Sequence, residues 1–324
     1  MASKFKLPKL PSKKVLGFFG TCAGIISLIY RDNKLSDEFK SRVEKKVSHL
    51  ALEPLNVHDL PRKVTVYLAR PLGDDIYKTK IHFREYVKPV LNAAALEYDI
   101  VEGTRPGQLR SKVRDAIREK RKKELPSSQQ QSSLSNQLSD SDQPFKTITA
   151  SKPIGNGTII VGRVSLVEYL QGLNDGCIAS LEDPSPEQSK SDSNASQDAS
   201  KDEQVSQENV KQSDDSDNKS EKPEIEFTIN EDEFSVPELD SIGYVRFYNR
   251  IGWKNIPLRL YYAFNSYKEF ETVSEDVVKI ALGNTRKFKK DDLNLGKDEE
   301  KFFKGTLDEP TLDERILSKL TIYT

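Results

Sequence analysis

The sequence has few of the residues from which metal centres and disulfide frameworks are built. Its 324 residues include only two cysteines and three histidines, and His49, His58 and His82 show no close pairing. Cys22 lies inside an apolar run near the N-terminus, which leaves Cys177 without a soluble partner. A disulfide framework and a cysteine-rich zinc site are therefore excluded. We expect neither a metal ion nor any other cofactor.

The sequence also lacks the motifs that carry catalysis. It contains no nucleophile elbow, no cysteine–histidine pairing and no Walker loop. Asp74 and Asp75 are adjacent carboxylates, but a hydrophilic loop lacks the burial that would push their pKa values apart. A favourable interaction of these carboxylates with the positive N-terminal end of the following helix explains them better. Gly155 and Gly157 precede a strand instead of opening a helix, which indicates a plain turn. The sequence therefore predicts a protein that is not an enzyme.

The apolar fraction of 35% is low for a chain that packs throughout its length. The net charge of −1 conceals an asymmetry between two regions. Residues 1–125 contain 27 basic and 15 acidic side chains, whereas residues 182–223 contain 5 basic and 12 acidic ones. The first region could face an anionic surface, and the second is a solvated acidic run.

One long hydrophobic run is present. Residues 15–30, VLGFFGTCAGIISLIY, carry no charge, and Arg31 and Asp32 close the run. As a helix these residues span roughly 24 Å, short of the ~30 Å hydrocarbon core. Snorkelling lysines before the run and the interfacial Tyr30 would supply the difference. The run predicts a transmembrane anchor, and a cleaved signal peptide or a buried core helix are the alternatives.

The charges that flank the run bear on its orientation. The tail before it holds five lysines and no acid, whereas residues 31–46 hold six basic and four acidic residues. The Lys and Arg counts barely decide the orientation. The large C-terminal part is a better candidate for translocation than the short tail. We therefore predict that the N-terminus stays on the inner side of the membrane.

The segments after the anchor alternate between strand and helix patterns. Residues 34–60 favour a helix, with Ser36 as its N-cap and Pro54 closing it. Strands are predicted at 63–69, 98–102 and 157–162, with helices at 76–96, from after Gly107 to about Lys123, and at 165–173. Pro89 predicts a kink or a restart in the first of these helices. Short links between alternating strands and helices are typical of a parallel, right-handed α/β unit.

Helical spacing identifies the side chains that face the core of this unit. They are Ile76, Phe83, Tyr86, Val87, Val90, Leu91 and Ala94 in one helix, and Leu109, Val113, Ala116 and Ile117 in the next.

The predicted division of the chain follows from these patterns. It comprises a basic tail (1–14), a transmembrane helix (15–31), a juxtamembrane helix or linker (32–61), the first part of an α/β domain (62–125), a disordered insertion (126–150), the continued α/β domain (151–181), a disordered acidic linker (182–223) and the C-terminal part of the soluble domain (224–324).

Two stretches are candidates for partner or lipid contacts. The basic run on and after the second soluble helix is most simply a solvated face, but it could meet anionic head groups or an acidic partner. The stretch from residue 243 to 267 alternates aromatic with basic residues, the types that dominate protein and membrane interfaces. Nucleic acid is not expected beside a membrane anchor. The candidate contact residues are Arg110, Arg114, Arg118, Lys120, Arg121, Lys122, Lys123, Trp253 and Arg259.

The runs KVTVYLARPLGDDIYKTKIHFREYVKPVLNAAALEYDIVEG, LRSKVRDAIREKRKK and GTIIVGRVSLVEYLQGL resemble a fungal family. This family is the fifty-four-kilodalton subunit of the mitochondrial inner-membrane carrier translocase. The resemblance implies a single-pass inner-membrane protein with its N-terminus in the matrix and its bulk in the intermembrane space. It also implies three kinds of partner: a channel-forming subunit, the small chaperones that deliver multispanning carrier proteins, and inner-membrane lipids.

Two further interpretations stay open at this point. VKPVLNAAALEYDIVE followed by IIVGRVSLVEYLQGL is distantly similar to the nucleotide domain of diacylglycerol-kinase-type lipid kinases. Those enzymes carry a GGDGT-like turn, whereas this chain has Gly162 to Ser165 without the second glycine or the acid. A membrane-anchored lipid kinase is therefore the alternative function. A secretory type II protein is the third interpretation, and it predicts glycans at Asn156, Asn194 or Asn218.

Overall fold

The protein is described by a computed structural model, which covers residues 12–54, 61–124, 156–180, 234–303 and 305–324. The disordered segments predicted at 126–150 and 182–223 lie outside the described residues. The chain divides into two units, and the second is Ile178–Ser235. The first unit, Met1–Cys177 with Val236–Thr324, contains the sheet and all the sites discussed below.

The N-terminal half of the first unit begins with one continuous helix, α1 (Lys13–Leu52), of 40 residues. The prediction that Ser36 starts a separate helix is wrong, because neither glycine nor proline occurs between Gly24 and Pro54 to end the first one. The helix does end just before Pro54, as predicted. The apolar run and the segment after it therefore form one rigid rod.

A six-stranded sheet lies at the centre of the unit, with strand order β2-β1-β3-β4-β6-β5. Its strands are β1 (Lys63–Ala69), β2 (Glu97–Gly103), β3 (Gly157–Val161), β4 (Ser241–Val245), β5 (Thr285–Lys287) and β6 (Thr321–Tyr323). All neighbouring strands are parallel except β5 and β6. The predicted α/β class is confirmed, and the predicted parallel pairing holds except between β5 and β6 at the edge of the sheet.

Helices connect and follow these strands. They are α2 (Ile76–His82), α3 (Lys88–Ala93), α4 (Gln108–Glu124), α5 (Arg163–Ile178), α6 (Ile256–Ala263), α7 (Ser266–Leu282) and α8 (Glu314–Lys319). A π-helical turn, Phe83–Val87, joins α2 to α3. It confirms the predicted interruption at Pro89, because proline lacks an N–H and its ring displaces the carbonyl one turn earlier.

The predicted inward side chains are buried, with two differences. Tyr86 is only partly buried, and Ala116 is exposed on α4. Ala116 lies at the edge of the apolar stripe, where its small side chain loses little by facing water. The core also contains a contribution that the sequence pattern did not indicate. Val43 and Val47 of α1 are buried in the same cluster as Phe270 and Val277 of α7.

Two glycines let α5 pack closely on α4. A Cβ atom at Gly172 would lie 2.5 Å from the carbonyl oxygen of Arg110, and one at Gly176 would lie 2.7 Å from Cβ of Ile117. Both distances are shorter than any side chain tolerates without movement of the backbone. The four-residue spacing places both glycines on one face of α5, so this face sets the distance between the two helices.

The buried end of α1 makes a stability prediction. Val47→Ala removes two methyl groups from a fully buried site and should lower the free energy of unfolding by about 2 kcal/mol. Urea unfolding of the detergent-solubilised chain measures this change. Lys46→Ala, on the exposed face one residue away, is the matched control. Equal stability of the two variants would show that α1 is not part of the folded core.

Candidate functional site

The anchor segment, residues 15–30, is the exposed N-terminal part of α1. Among the residues that the structure describes, α1 is the one helix long and apolar enough to cross a membrane. In the described part of the chain these apolar side chains are open to water, and Phe18, Ile26 and Tyr30 are each more than 60% exposed. Apolar side chains on every face of a helix are typical of a segment surrounded by lipid.

The next two residues attach the soluble domain to the anchor, and we call them the junction. Arg31 donates from Nη2 to Oδ1 of Asn265 at 2.9 Å and to the carbonyl of Phe264, which caps the C-terminus of α6. Asp32 accepts from the hydroxyl of Ser266 at 2.7 Å and from the N–H of Tyr267 at 3.4 Å, at the N-terminus of α7. The positive Arg31 therefore lies at the negative C-terminal end of α6, and the negative Asp32 lies at the positive N-terminal end of α7.

The structure divides the basic residues of α4 into two groups. Arg121 is 1% exposed, and its Nη1 donates to the carbonyl of Gly176 at 2.7 Å. Arg118 is also buried. Both side chains lie inside the domain, and the Arg121 bond holds α4 against α5, so a variant at either position would disturb folding as well as any contact.

The remaining basic residues of α4 face outward. Three of them face carboxylates: Arg110 with Asp175, Arg114 with Asp115 at 3.1 Å and Lys120 with Asp240 at 2.8 Å. Lys122 and Lys123 are exposed at the end of the helix. Exposed ion pairs contribute only ~0–1 kcal/mol each, so an acidic ligand can displace such intramolecular partners. The outward lysines Lys120, Lys122 and Lys123 form what we call the α4 basic end.

Trp253 and Arg259 lie in one segment, far along the chain from α4. Trp253 begins the 3-10 turn Trp253–Asn255, which leads directly into α6. Its side chain is 88% exposed, and Arg259 is exposed on α6. The sequence grouped these two residues with the basic residues of α4, whereas the structure places them in the segment whose C-terminal end contacts the junction.

The carboxyl ends of the parallel strands form the crevice in which α/β proteins hold ligands. In this protein two of the helix N-termini at that edge are occupied by glutamate side chains. Oε2 of Glu299 accepts from the backbone N–H of Arg163 at 2.8 Å, where α5 begins. Oε1 accepts from the N–H of Phe247 at 2.9 Å and from the hydroxyl of Tyr244. Glu168 accepts from the N–H groups of Gly107 and Leu109 at the start of α4.

These carboxylates take the place that a phosphate would occupy at a helix N-terminus. Glu299 is 1% exposed, and burial raises its pKa to about 7 even though three donors point at it. Burial also raises the pKa of Glu168. Only a very small void, about 10 Å³, remains beside Gly162 and Glu299. A cavity of that size holds at most one water molecule, so the position after β3 has no room for a nucleotide phosphate.

The loops after the strands have structural roles. Ser165, in the position of the kinase-like turn, donates to the carbonyl of Val161 at 2.6 Å and accepts from the N–H of Ala69 at 2.9 Å. Asp75 accepts from the N–H of Ile76 at 2.8 Å and caps α2, which confirms the predicted role at that helix end. Gly162 has φ of +81° and allows the tight turn into α5.

The other titratable groups offer no reactive arrangement in the part of the chain that is described. His82 is buried, its Nε2 lies 3.0 Å from the carbonyl of Arg246, and burial lowers its pKa to about 4. Burial raises the pKa of the Cys177 thiol to about 11, which makes it an inert core residue. No group of three potential metal ligands occurs among the described residues.

Sequence reasoning did not identify Glu299, Glu168 or the junction. Glu299 lies in a charged 3-10 segment, Lys297–Phe302, whose composition is that of an exposed loop. Its partners are 52 to 136 residues away in the sequence. The sequence indicates that Asp32 marks the polar end of the anchor, but it does not indicate that Asp32 bonds to the start of α7.

Comparison with known proteins gives a consistent match. The family described as inner membrane protein import complex subunit Tim54 matches residues 3–321. The chain is 32% identical over 180 residues to mitochondrial import inner membrane translocase subunit tim54 of Aspergillus oryzae, covering 55% of this chain and 40% of the relative. For the subunits of the same name, identity is 32% over 170 residues in Schizosaccharomyces pombe and 34% over 152 residues in Saccharomyces cerevisiae.

These alignments cover about half of this chain, 52% and 46% for the two yeasts. They cover 45% of the Schizosaccharomyces pombe relative and 29% of the Saccharomyces cerevisiae relative. The chain therefore spans half or less of the length of the curated relatives it matches.

The buried carboxyl of Glu299 makes a prediction about pH. Its folded pKa of about 7 lies above the ordinary glutamate value of 4.5, so the folded state binds the proton more tightly than the unfolded chain does. The stabilisation that the protonated carboxyl supplies is complete below about pH 4.5 and is lost as the pH rises through about 7. Glu299→Gln cannot ionise. The unfolding free energy of wild type minus that of the variant should therefore fall between about pH 5 and about pH 8.

Urea unfolding at both pH values measures this difference. The control is Glu309→Gln, at a side chain that is 84% exposed, and its difference from wild type should not change with pH. A pH-independent difference for Glu299→Gln would show that the Glu299 carboxyl is ionised throughout this range.

Proposed function

The chain belongs to the family of inner membrane protein import complex subunit Tim54, and from this premise we propose that it is a non-enzymatic subunit of the mitochondrial inner-membrane translocase that inserts multispanning carrier proteins. The family match over nearly the whole chain carries this proposal. Its relatives are named as subunits of a mitochondrial inner-membrane translocase. The anchor segment at the start of α1 suits a protein held in that membrane.

The proposed mechanism is recruitment. α1 runs without interruption from the anchor segment into the core, so the soluble domain is held at the membrane surface. A docking surface held there raises the effective concentration of a bound chaperone and its cargo near the channel-forming subunit. We place the N-terminus in the matrix and the domain in the intermembrane space, where the small chaperones carry their cargo.

The α4 basic end is the proposed docking surface for the small chaperones. Its three lysines lie at the C-terminal end of α4, and the buried Arg121 fixes that helix to α5. An acidic partner would gain several charge-assisted contacts there at once. The side chains that hold α4 in place are not needed for this contact, so docking can be tested without disturbing the fold.

A lipid kinase of the diacylglycerol-kinase type is the second candidate, and the parallel sheet with its carboxyl-end crevice is the observation that favours it. The proposed distant similarity would make this domain a kinase-like scaffold. Glu299 then acts against nucleotide binding, because its carboxylate lies where a phosphate would bind and would repel one. We therefore propose that such a scaffold has no kinase chemistry here.

The secretory alternative depends on glycans. Asn156 is exposed just before β3, whereas Asn194 and Asn218 lie outside the described residues. The relatives are named as mitochondrial proteins, and N-glycosylation belongs to the secretory pathway. The proposal of an inner-membrane subunit therefore replaces this alternative.

The kinase alternative is tested by nucleotide titration. Isothermal titration of the full chain in detergent with Mg-ATP at millimolar concentration should give no binding heat, because the α5 N-terminus is already occupied. Two single variants, Glu168→Gln and Glu299→Gln, are titrated in the same way. Each removes one of the carboxylates that would compete with a phosphate for a helix N-terminus. Saturable heat with the unaltered chain would contradict the proposal and restore the kinase interpretation.

The docking proposal is tested by reversing charge at the α4 basic end. A triple variant, Lys120→Glu, Lys122→Glu and Lys123→Glu, should reduce recovery of the small chaperones at least several-fold, because three attractive contacts become repulsive. The measurement is mild-detergent affinity purification of the tagged chain from mitochondria, with quantitative mass spectrometry of the eluate.

The control is Lys290→Glu with Lys301→Glu, two lysines more than 70% exposed elsewhere on the domain. It should recover chaperones and channel subunit as the unaltered chain does. Unchanged chaperone recovery with the α4 variant would remove this helix from the docking surface. Absence of both partners from the unaltered chain would contradict the translocase proposal itself.

A further inference from the structure

Helix α6 differs from the other helices of the domain because none of its residues is fully buried. Its sequence is IPLRLYYA, and no residue of α6 or of the preceding 3-10 turn is buried. Trp253 is 88% exposed, Leu260 59%, Tyr261 46% and Ile256 44%. Short helices owe their stability in water mainly to the burial of an apolar face, and here that face is left outside the protein.

The position of this segment is fixed relative to the anchor. Arg31, the first residue after the anchor segment, bonds to the carbonyl of Phe264 and to Asn265, directly after α6. The end of α6 therefore lies at the level where the apolar run of α1 meets water. From there, the eleven residues of Trp253–Asn255 and α6 extend for roughly 17–18 Å. Every residue of the segment therefore lies within about 18 Å of the point where the anchor segment ends.

The composition of this segment suits that surface. Tryptophan and tyrosine concentrate at the headgroup level, where an apolar ring with one polar atom is best solvated. Lys254 and Arg259 are exposed in the same segment, and Lys268 follows it, with its Nζ 2.6 Å from the hydroxyl of Tyr261. Basic groups beside an apolar helical face are typical of helices that lie in an anionic membrane interface.

Contacts on the domain side hold α6 in this position. The guanidinium of Arg250 lies 3.8 Å from the centre of the Tyr262 ring and pairs with Glu269 at 3.3 Å. Asn265 donates from Nδ2 to the carbonyl of Tyr261 at 2.9 Å, which closes the helix. The apolar face is therefore presented outward by a fixed support and does not depend on a mobile loop.

We propose that Trp253 to Ala263 forms a second membrane contact, an interfacial segment whose apolar side chains enter the headgroup and upper acyl region of an anionic bilayer beside the anchor. The anchor segment alone is shorter than the hydrocarbon core, as its sixteen uncharged residues indicate. A second contact at one interface fixes the depth and rotation of the span, which a short single helix leaves undetermined. The inference is independent of the proposed docking function.

The chain contains a single tryptophan, so its intrinsic fluorescence reports on this segment alone. The full chain is reconstituted into vesicles of phosphatidylcholine and phosphatidylglycerol, with and without bromine on the acyl chains. The emission of Trp253 should fall by about half with brominated lipid, since an indole at the headgroup level is within reach of the bromines. Its quenching by aqueous iodide should be weak.

Matched variants identify the side chains responsible. Ile256→Ser with Leu260→Ser should abolish most of the quenching by brominated lipid, while the chain still floats with the vesicles through its anchor. Leu282→Ser is the control, because Leu282 is 43% exposed and ends α7, roughly 24 Å along that helix from the junction. It should be quenched as the unaltered chain is. Circular dichroism confirms that all variants are folded.

Three results would overturn the proposal. Emission that is insensitive to bromine and fully open to iodide would place Trp253 in water. Emission that resists both quenchers would show that protein, from a second copy or from the same chain, covers α6. Undiminished bromine quenching in the Ile256→Ser and Leu260→Ser double variant would show that the apolar face of α6 does not hold the segment in the lipid.

Discussion

The junction of Arg31 and Asp32 is the interaction on which the arrangement of this protein depends. Asp32 is 5% exposed, and a buried carboxylate is destabilising unless hydrogen bonds replace its water. Those bonds come from Ser266 and Tyr267 at the start of α7, and Arg31 bonds to the end of α6. Two adjacent charges of opposite sign therefore determine where the lipid-facing part of α1 ends and where the domain begins. The helix ends that they cap belong to the C-terminal part of the chain.

The sheet shows a second way in which charge decides what the domain can do. A parallel sheet presents helix N-termini at its carboxyl edge, and such ends attract anions whatever their source. Glu168 and Glu299 supply that anion from within the chain. An internal carboxylate satisfies the N–H groups permanently, so the crevice needs no ligand to be stable. The domain can therefore serve as a scaffold whose outer helices contact partners.

Local patterns predicted the elements of this fold well. The predictions of β1 and β3 are correct because runs of five to seven residues rich in β-branched side chains seldom form anything but a strand. Pro89 correctly indicates the interruption between α2 and α3. The sequence did not indicate which helix ends meet which side chains. Glu299 and Asp32 act on partners far away in the chain, and the distinction between the buried Arg121 and its exposed neighbours depends on how α4 packs against α5. Sequence periodicity identifies the buried face of a helix or strand, but it does not identify which side chains bond to each other.

An uninterrupted α1 has a consequence for how the domain is presented. A flexible linker would let a domain sample many orientations, and each binding event would then lose that freedom. Here Val43 and Val47 fix the helix in the core, and Phe39 stacks on Tyr267 with ring centres 5.8 Å apart. The tilt and rotation of one short span therefore set the direction in which α4 faces. Because a single helix resists rotation about its own axis only weakly in lipid, a rigid domain can be oriented well only if another part of it also contacts the membrane or the complex.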